Sequence, residues 1–372
     1  MSAPLDSSKL EITKTTSPKD PLPNSELKFG QSFTDYILEI DWSADYGWHT
    51  PTIKPYHSFT MDPATCVLHY SFELFEGLKA YRDSKGQIRT FRPDKNMERM
   101  NRSAKRASLP TFDGEEFLKL VDKFLLLEEK FVPQGKGYSL YLRPTLIGTS
   151  VGLGVSAPTN AKLYLIASPV GPYFGSGFKP VSLEATDYAV RAWPKGVGSY
   201  KLGANYVSCI EPQTEAAKRG HSQNLWLFGD DGEITEVGAM NVFFALKTDD
   251  GKNELVTPPL AGMILPGVTR DSTLELVRAK LASGGDDWIV NERKLTIHEV
   301  QEKAKQGKLI EAFGTGTAAI VAPINNIEYQ GESIVVPTVA GGSGEVAAKV
   351  NEWIQDIQYG DEEFKNWSRV AK

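Results

Sequence analysis

The chain has 372 residues, 41% of them hydrophobic and 24% charged, with 47 acidic against 41 basic side chains and a formal net charge of −6. At roughly 150 residues per domain, that length points to about two domains with cores of their own, and the composition excludes wholesale disorder or a fibrous repeat. The longest apolar runs, such as Leu163–Ser168 and Ala318–Pro323, fall well short of the roughly 18 residues a membrane helix needs, and the acidic balance argues against nucleic acid held through phosphates.

The first 30 residues are rich in Ser, Thr, Pro and Lys and read as a mobile leader. The leader has no arginine, and Lys9, Lys14, Lys19 and Lys28 are balanced by Asp6, Glu11, Asp20 and Glu26. That pattern suits neither a mitochondrial transit peptide nor a secretory signal, so a cytoplasmic protein is expected. Beyond it, Ser32–Trp42 and Thr65–Phe72 read as strands. Asp94–Ser108 and Glu115–Phe131 carry apolar residues at helical spacing, and Tyr138–Ile147 and Lys162–Ser168 read as strands. The Gly/Pro/Ser-rich stretch Gly171–Pro180 is the best linker and the expected domain boundary.

In the second half, Asn205–Arg219 reads as a helix closed by Gly220. Asn224–Phe228 and Glu233–Val237 flank an Asp-Asp-Gly turn as a hairpin, and Asn241–Leu246 is another strand. Thr269–Leu281 and Glu345–Ile357 are amphipathic helices. Strands and helices mixed in two unequal blocks argue for an α+β or mixed α/β architecture. Cys66 and Cys209 are too sparse for a disulfide framework. His49, His57, His69, His221 and His298 form no ligand-spaced pair, so no metal site is expected.

Leu265-Pro-Gly-Val-Thr-Arg270 runs into a helix with Thr269 at the expected N-cap, where free N–H groups and the helix dipole favour an anion. Gly314-Thr-Gly-Thr-Ala-Ala319 follows the strand-like Leu309–Phe313 with glycines that permit close backbone approach. Lys201 lies in Gly198-Ser-Tyr-Lys-Leu-Gly-Ala-Asn-Tyr206, and Glu236 opens Glu236-Val-Gly-Ala-Met-Asn-Val-Phe-Phe244. Taken alone, each is an ordinary surface residue, a capping threonine or a flexible loop.

Together these segments resemble the fold-type IV pyridoxal-phosphate enzymes. Further motifs carry the resemblance to the eukaryotic branched-chain amino acid aminotransferases. They are Leu68-His-Tyr-Ser-Phe-Glu-Leu-Phe-Glu-Gly77, Phe91-Arg-Pro with Asn96-Met-Glu-Arg-Met100, Tyr141-Leu-Arg-Pro144 and Pro169-Val-Gly-Pro-Tyr173. The resemblance runs from about Phe29 to the C-terminal helix. It implies a leader (1–28), a smaller N-terminal α/β domain (29–170), a linker (171–182) and a larger C-terminal pseudobarrel domain (183–372), with the active site at the domain interface.

It further implies a homodimer that moves the amino group of leucine, isoleucine or valine to 2-oxoglutarate, and back, by a ping-pong route through pyridoxal 5'-phosphate. Lys201 matches the Schiff-base and proton-shuttling lysine. Glu236 matches the carboxylate at the pyridine nitrogen, and Tyr206 the hydroxyl on the phenolic oxygen. Arg99, Leu265, Gly267, Val268, Thr269, Gly316 and Thr317 match the remaining cofactor contacts. Phe29, Tyr70, Phe75, Tyr141, Val155 and Tyr173 match the substrate pocket, and Arg143 the group assisting a distal carboxylate. The N–H groups of Thr317 and Ala318 match the α-carboxylate site. Other members of the fold type, a D-amino acid aminotransferase or an aminodeoxychorismate lyase, are the alternative. This chain departs from the family at Ala239, often a threonine, and at Ala319 and Ala322, where animal members carry a redox cysteine pair.

Overall fold

The computed structural model describes residues 2–172, 179–283, 288–339 and 342–372. Residues 173–178, Tyr173 and half of the expected linker among them, lie outside them. The chain forms two compact units, Met1–Tyr173 with Tyr200–Ala204 and Gln355–Lys372, and Phe174–Ser199 with Asn205–Ile354. The C-terminal residues and the Lys201 segment, expected in the second domain, thus join the first. Ser368–Val370 pairs antiparallel with Ile88–Phe91, and Leu202 bridges Leu74. Such long-range pairings leave no local sequence trace.

The first unit is built on a mostly antiparallel sheet. Its spine is Ser139–Gly148 against Asn160–Val170, paired from Ser139↔Val170 to Gly148↔Ala161. Ser139–Gly148 is buried on both faces at all but Arg143. Tyr36–Ser43 borders one side of this pair and Leu78–Arg82 the other, while Glu73–Phe75 pairs with Glu73↔Ile147 register.

Two helices cover the unit. Pro93–Arg106 starts with proline at its first position, where the missing N–H costs nothing. Gly114–Leu127 starts at Asp113, whose carboxylate accepts from the N–H groups of Glu115 and Glu116. Phe117, Leu118, Leu120, Val121, Phe124 and Leu125 make its buried face.

Two expectations fail here. Thr65–Phe72 is not a strand: Cys66–Tyr70 is a short helix ended by Ser71 in the left-handed region. Thr65 Oγ1 and His69 turn back onto the carbonyls of Asp62 and Pro63, so side-chain bonding overrides the β-branched composition. The leader is also not free. Ala3 exchanges hydrogen bonds with Tyr46 and Trp48, Leu5 is buried, and Glu11–Ile12 runs parallel to Thr52–Pro55. Lys19 Nζ donates to the carbonyls of Phe33 and Thr34.

The second unit holds a mixed sheet in the order Glu233–Val237, Gln223–Phe228, Val181–Thr186, Ile320–Tyr329, Leu309–Gly316, Asn241–Lys247, Asn253–Thr257, Trp288–Glu292. Leu225, Val242, Phe244, Leu246, Ile297, Val300 and Ile324 belong to its core. The single helix expected over Asn205–Arg219 is two, Ala204–Val207 and Ile210–Lys218. Pro212 lacks an N–H, and the break places it in a first turn, where none is needed.

Candidate active site

In the first unit the site grows from one stripe of the helix Pro93–Arg106. Asn96, Arg99 and Ser103, spaced three and four apart, fall on one face and are all buried. A buried polar stripe requires partners. Arg99 Nε and Nη2 donate to Glu76 Oε1 and Oε2 at 2.7 Å each, a bidentate pair, and Asn96 Nδ2 adds a third bond to Oε2 at 2.7 Å. Ser103 Oγ accepts from the Lys201 N–H at 3.0 Å. The Lys201 carbonyl accepts from the Phe75 N–H at 3.2 Å, so the lysine's peptide is tied to both the helix and the strand Glu73–Phe75.

The Lys201 ammonium lies 4.7 Å from the centre of the Phe75 ring. Burial, then the Arg99 charge, pushes the amine down to about 8, with Glu76 and Tyr141 opposing and Arg143 adding to the fall. A neutral, nucleophilic fraction is thereby available near neutral pH. A Cβ at Gly203, two residues on, would overlap the Glu73 carboxyl, so a side chain there would push that carboxyl aside. Burial holds the Glu73 carboxyl above its usual range, with the Gly203 N–H, Arg143 and Lys201 opposing.

Four expected substrate residues, Phe29, Phe75, Tyr141 and Arg143, gather in the same unit. Arg143 reaches the Tyr141 hydroxyl at 2.8 Å through Nη2 and stacks 4.5 Å over the Phe75 ring. Phe29 tilts against Tyr141 with ring centres 4.8 Å apart. Tyr70 and Val155 stand elsewhere, 37% and 75% exposed, with the Tyr70 hydroxyl donating to the Leu153 carbonyl.

In the second unit Glu236 lies near the end of the strand Glu233–Val237 and is buried. Its Oε1 accepts from the Leu265 N–H at 2.8 Å and from Asn241 Nδ2 at 3.2 Å; its Oε2 accepts from Arg191 Nε at 2.5 Å. The Leu265 segment leads into the helix Val268–Lys280, whose N-cap is Gly267 rather than the expected Thr269. A Cβ at Gly267 would overlap Asn241, so close packing fixes the cap, and Val268 and Thr269 become the first helical residues, both buried. The strand beginning at Leu309, expected to end at Phe313, continues to Gly316, and residues 317–319 make the turn to Ile320. Thr317 and Ala318 therefore sit in a hairpin turn. Tyr206, half-buried, lies on the short helix Ala204–Val207.

Sequence reasoning missed Glu76, Asn96, Ser103, Glu73, Asn241 and Arg191. Glu76, Asn96 and Asn241 lie inside the quoted motifs, and buried partners for an arginine and a carboxylate could have been sought there. Arg191 stands 45 positions from Glu236 and leaves no signal.

A lysine with a lowered pKa, a buried arginine and a buried carboxylate beside a helix start are the parts of an amino-group transfer enzyme, and comparison with known proteins agrees. Residues 73–327 match the family model described as amino-transferase class IV. The branched-chain-amino-acid aminotransferase, mitochondrial, of Saccharomyces cerevisiae is 60% identical, covering 99% of this chain and 94% of its own. The cytosolic protein of that name in the same organism is 57% identical, covering 99% and 98%. Among solved structures, the branched-chain amino acid aminotransferase from Escherichia coli shares the fold at TM-score 0.68 and 24% identity, covering 91% of this chain and 99% of that one. The enzyme of the same name from Thermobaculum terrenum, solved in its PLP-form, shares the fold at TM-score 0.71 and 21% identity over 92% and 100%. The chain belongs to the class IV aminotransferases, and within them to the branched-chain-amino-acid aminotransferases.

Proposed function

We propose that this protein moves the amino group of L-leucine, L-isoleucine or L-valine to 2-oxoglutarate, and back, in two half-reactions that share pyridoxal 5'-phosphate. The observation that carries the reading is Lys201, held by Ser103 and Phe75 through its peptide and brought down to about 8 at its amine. The residues present suit the cofactor. Arg99 and the N–H groups at the start of Val268–Lys280, with Thr269 and Thr317, would hold its phosphate. Glu236 would hold its ring nitrogen, Tyr206 its phenolic oxygen, and Leu265, Gly267 and Gly316 shape the backbone around it.

When bound, pyridoxal phosphate supplies an aldehyde and an electron-accepting ring. The chain's own work is positional and acid–base. Lys201 Nζ holds and moves the proton at the substrate α-carbon. Glu236 keeps a negative charge facing a protonated ring nitrogen. Phe29, Phe75 and Tyr141 give an apolar branch a surface. Arg143, held against the Tyr141 hydroxyl, meets the distal carboxylate of glutamate or 2-oxoglutarate, and Thr317 and Ala318 N–H groups take the α-carboxylate. Tyr173 is assigned to the pocket by resemblance only.

Mixing holoenzyme with leucine alone should release one equivalent of the branched oxo acid and leave pyridoxamine phosphate, with no turnover of D-alanine or aminodeoxychorismate. Turnover of either of those without leucine activity overturns the reading.

We also propose a homodimer. Leu68, Tyr70, Val151, Leu153 and Val155 are exposed apolar or aromatic residues of one neighbourhood, joined by the Thr65–Val151 bridge and the Tyr70–Leu153 bond. A second copy over this patch would turn Tyr70 and Val155 from surface into pocket residues. Leu153→Asp should then give a monomer in equilibrium sedimentation; a persisting dimer refutes this face. Among the described residues no helix is long and apolar enough to cross a membrane. We place the protein in the cytosol, on the acid-balanced leader composition; cell fractionation that recovers it with mitochondria reverses that placement.

A further inference from the structure

We infer that Arg191 is the positioning residue that keeps Glu236 charged and aimed for the cofactor ring, an inference resting on the proposed assignment of Glu236 to the ring nitrogen. The pair is enclosed: the side chains of Arg191 and Glu236 are 9% and 4% exposed. A carboxylate taken out of water becomes protonated unless a countercharge or several donors hold its anion. Leu265 N–H and Asn241 Nδ2 serve Oε1 as neutral donors. Arg191, on Oε2, brings a full positive charge.

The guanidinium is itself fixed at a second point. Its Nη2 donates to the Gly198 carbonyl at 3.0 Å, three residues before Lys201 in the chain. Gly198 has no room for a side chain: a Cβ would overlap Ala192 and the Met263 carbonyl. The acceptor therefore stands where close packing puts it, and the planar fork of arginine spans from that carbonyl to Glu236 Oε2. Lysine could restore the charge but not both bonds in one plane. Cys209 is a further titratable group near the pair, and burial pushes its thiol up, so it stays neutral at neutral pH and adds no second negative charge beside Glu236.

Arg191 acts through Glu236, so its effect must depend on Glu236. The test is a double-mutant cycle on full-length protein, read as the dissociation constant of pyridoxal phosphate added to the cofactor-free enzyme, together with kcat and KM for leucine. Arg191→Met should weaken cofactor binding about tenfold, the scale of one charge-assisted hydrogen bond, and lower kcat more than it raises KM. In a Glu236→Gln background the same change should cost about twofold or less, because the charge it serves is gone. Arg191→Lys should fall between parent and Arg191→Gln, since it keeps the charge. That pair of variants carries the test if Arg191→Met does not fold.

Equal losses in both backgrounds would make Arg191 a structural residue and overturn the inference. So would a Lys variant no better than Gln. If Glu236→Gln alone leaves cofactor affinity unchanged, it is the assignment of Glu236 that fails, and the two failures are told apart.

Discussion

In the first unit Glu76 grips Arg99 with both oxygens, and Asn96 braces the carboxylate. In the second, Arg191 grips Glu236, and Asn241 with the Leu265 N–H braces it. The two arrangements use the same residue types with opposite polarity. Under the proposed assignments, the arginine of the first pair would meet a phosphate with the glutamate backing it, and the glutamate of the second would meet a protonated ring nitrogen with the arginine backing it. In each case the backing residue keeps a buried charge ionised, and an asparagine braces the carboxylate of the pair. Burying such pairs gains little stability against apolar packing, so their presence speaks for a function that needs charge without water.

The largest expected effect breaks the comparison at a buried amine that must work uncharged. Lys201→Met should lower leucine transamination by about three orders of magnitude or more, since both nucleophile and proton carrier are lost. The same change should raise the melting temperature of the cofactor-free protein at pH 7. The sign follows from linkage: an amine lowered from 10.5 to about 8 is charged in both folded and unfolded chains below 8, where its burial cost is fully present. Stability of the parent should climb between about pH 8 and 10.5, as the folded chain binds fewer protons than the unfolded one. Lys201→Met should show a smaller climb, the remainder belonging to Lys79, whose amine burial also pushes down to about 8. A cofactor-free Lys201→Met protein that melts below the parent at pH 7 contradicts this account.

The next effect sharpens the comparison within the first unit. Glu76 is fully buried, so Glu76→Ala strands the Arg99 charge and should cost about 3–5 kcal/mol in denaturant unfolding. It should also lower the Lys201 amine further, because Glu76 is among the groups raising it. A loss under about 1 kcal/mol would show that water reaches Arg99.

The smallest effect is a surface control. Lys136 bridges Asp356 at 2.7 Å and Asp361 at 2.8 Å but is 53% exposed. Lys136→Ala should cost roughly 0.2–1 kcal/mol and fade with salt, leaving transamination unchanged. A cost as large as that of Glu76→Ala would mean that burial is not what separates the two kinds of ion pair.

Several elements were readable from the chain alone. Helical spacing in Asp94–Ser108 and the Asp-Asp-Gly turn between Asn224–Phe228 and Glu233–Val237 correspond to elements of the structure within two residues. Lys201 and Glu236 stood out only through the ordered series of motifs around them. Other elements were hidden. Thr65–Phe72 has strand composition, yet carbonyl-seeking Thr65 and His69 wind it into a helix. The polar leader looks mobile, yet sheet edges and a buried Leu5 tie it down.

The sequence by itself determined the family and the mixed α/β class, because those depend on residue types in an ordered series along the chain. Only the tertiary structure decided what each charged group leans on. Glu76 meets Arg99 across 23 positions and Arg191 meets Glu236 across 45, distances over which no local pattern selects a partner. Burial makes those pairings obligatory, since a charge removed from water must find its countercharge wherever the folded chain has placed one.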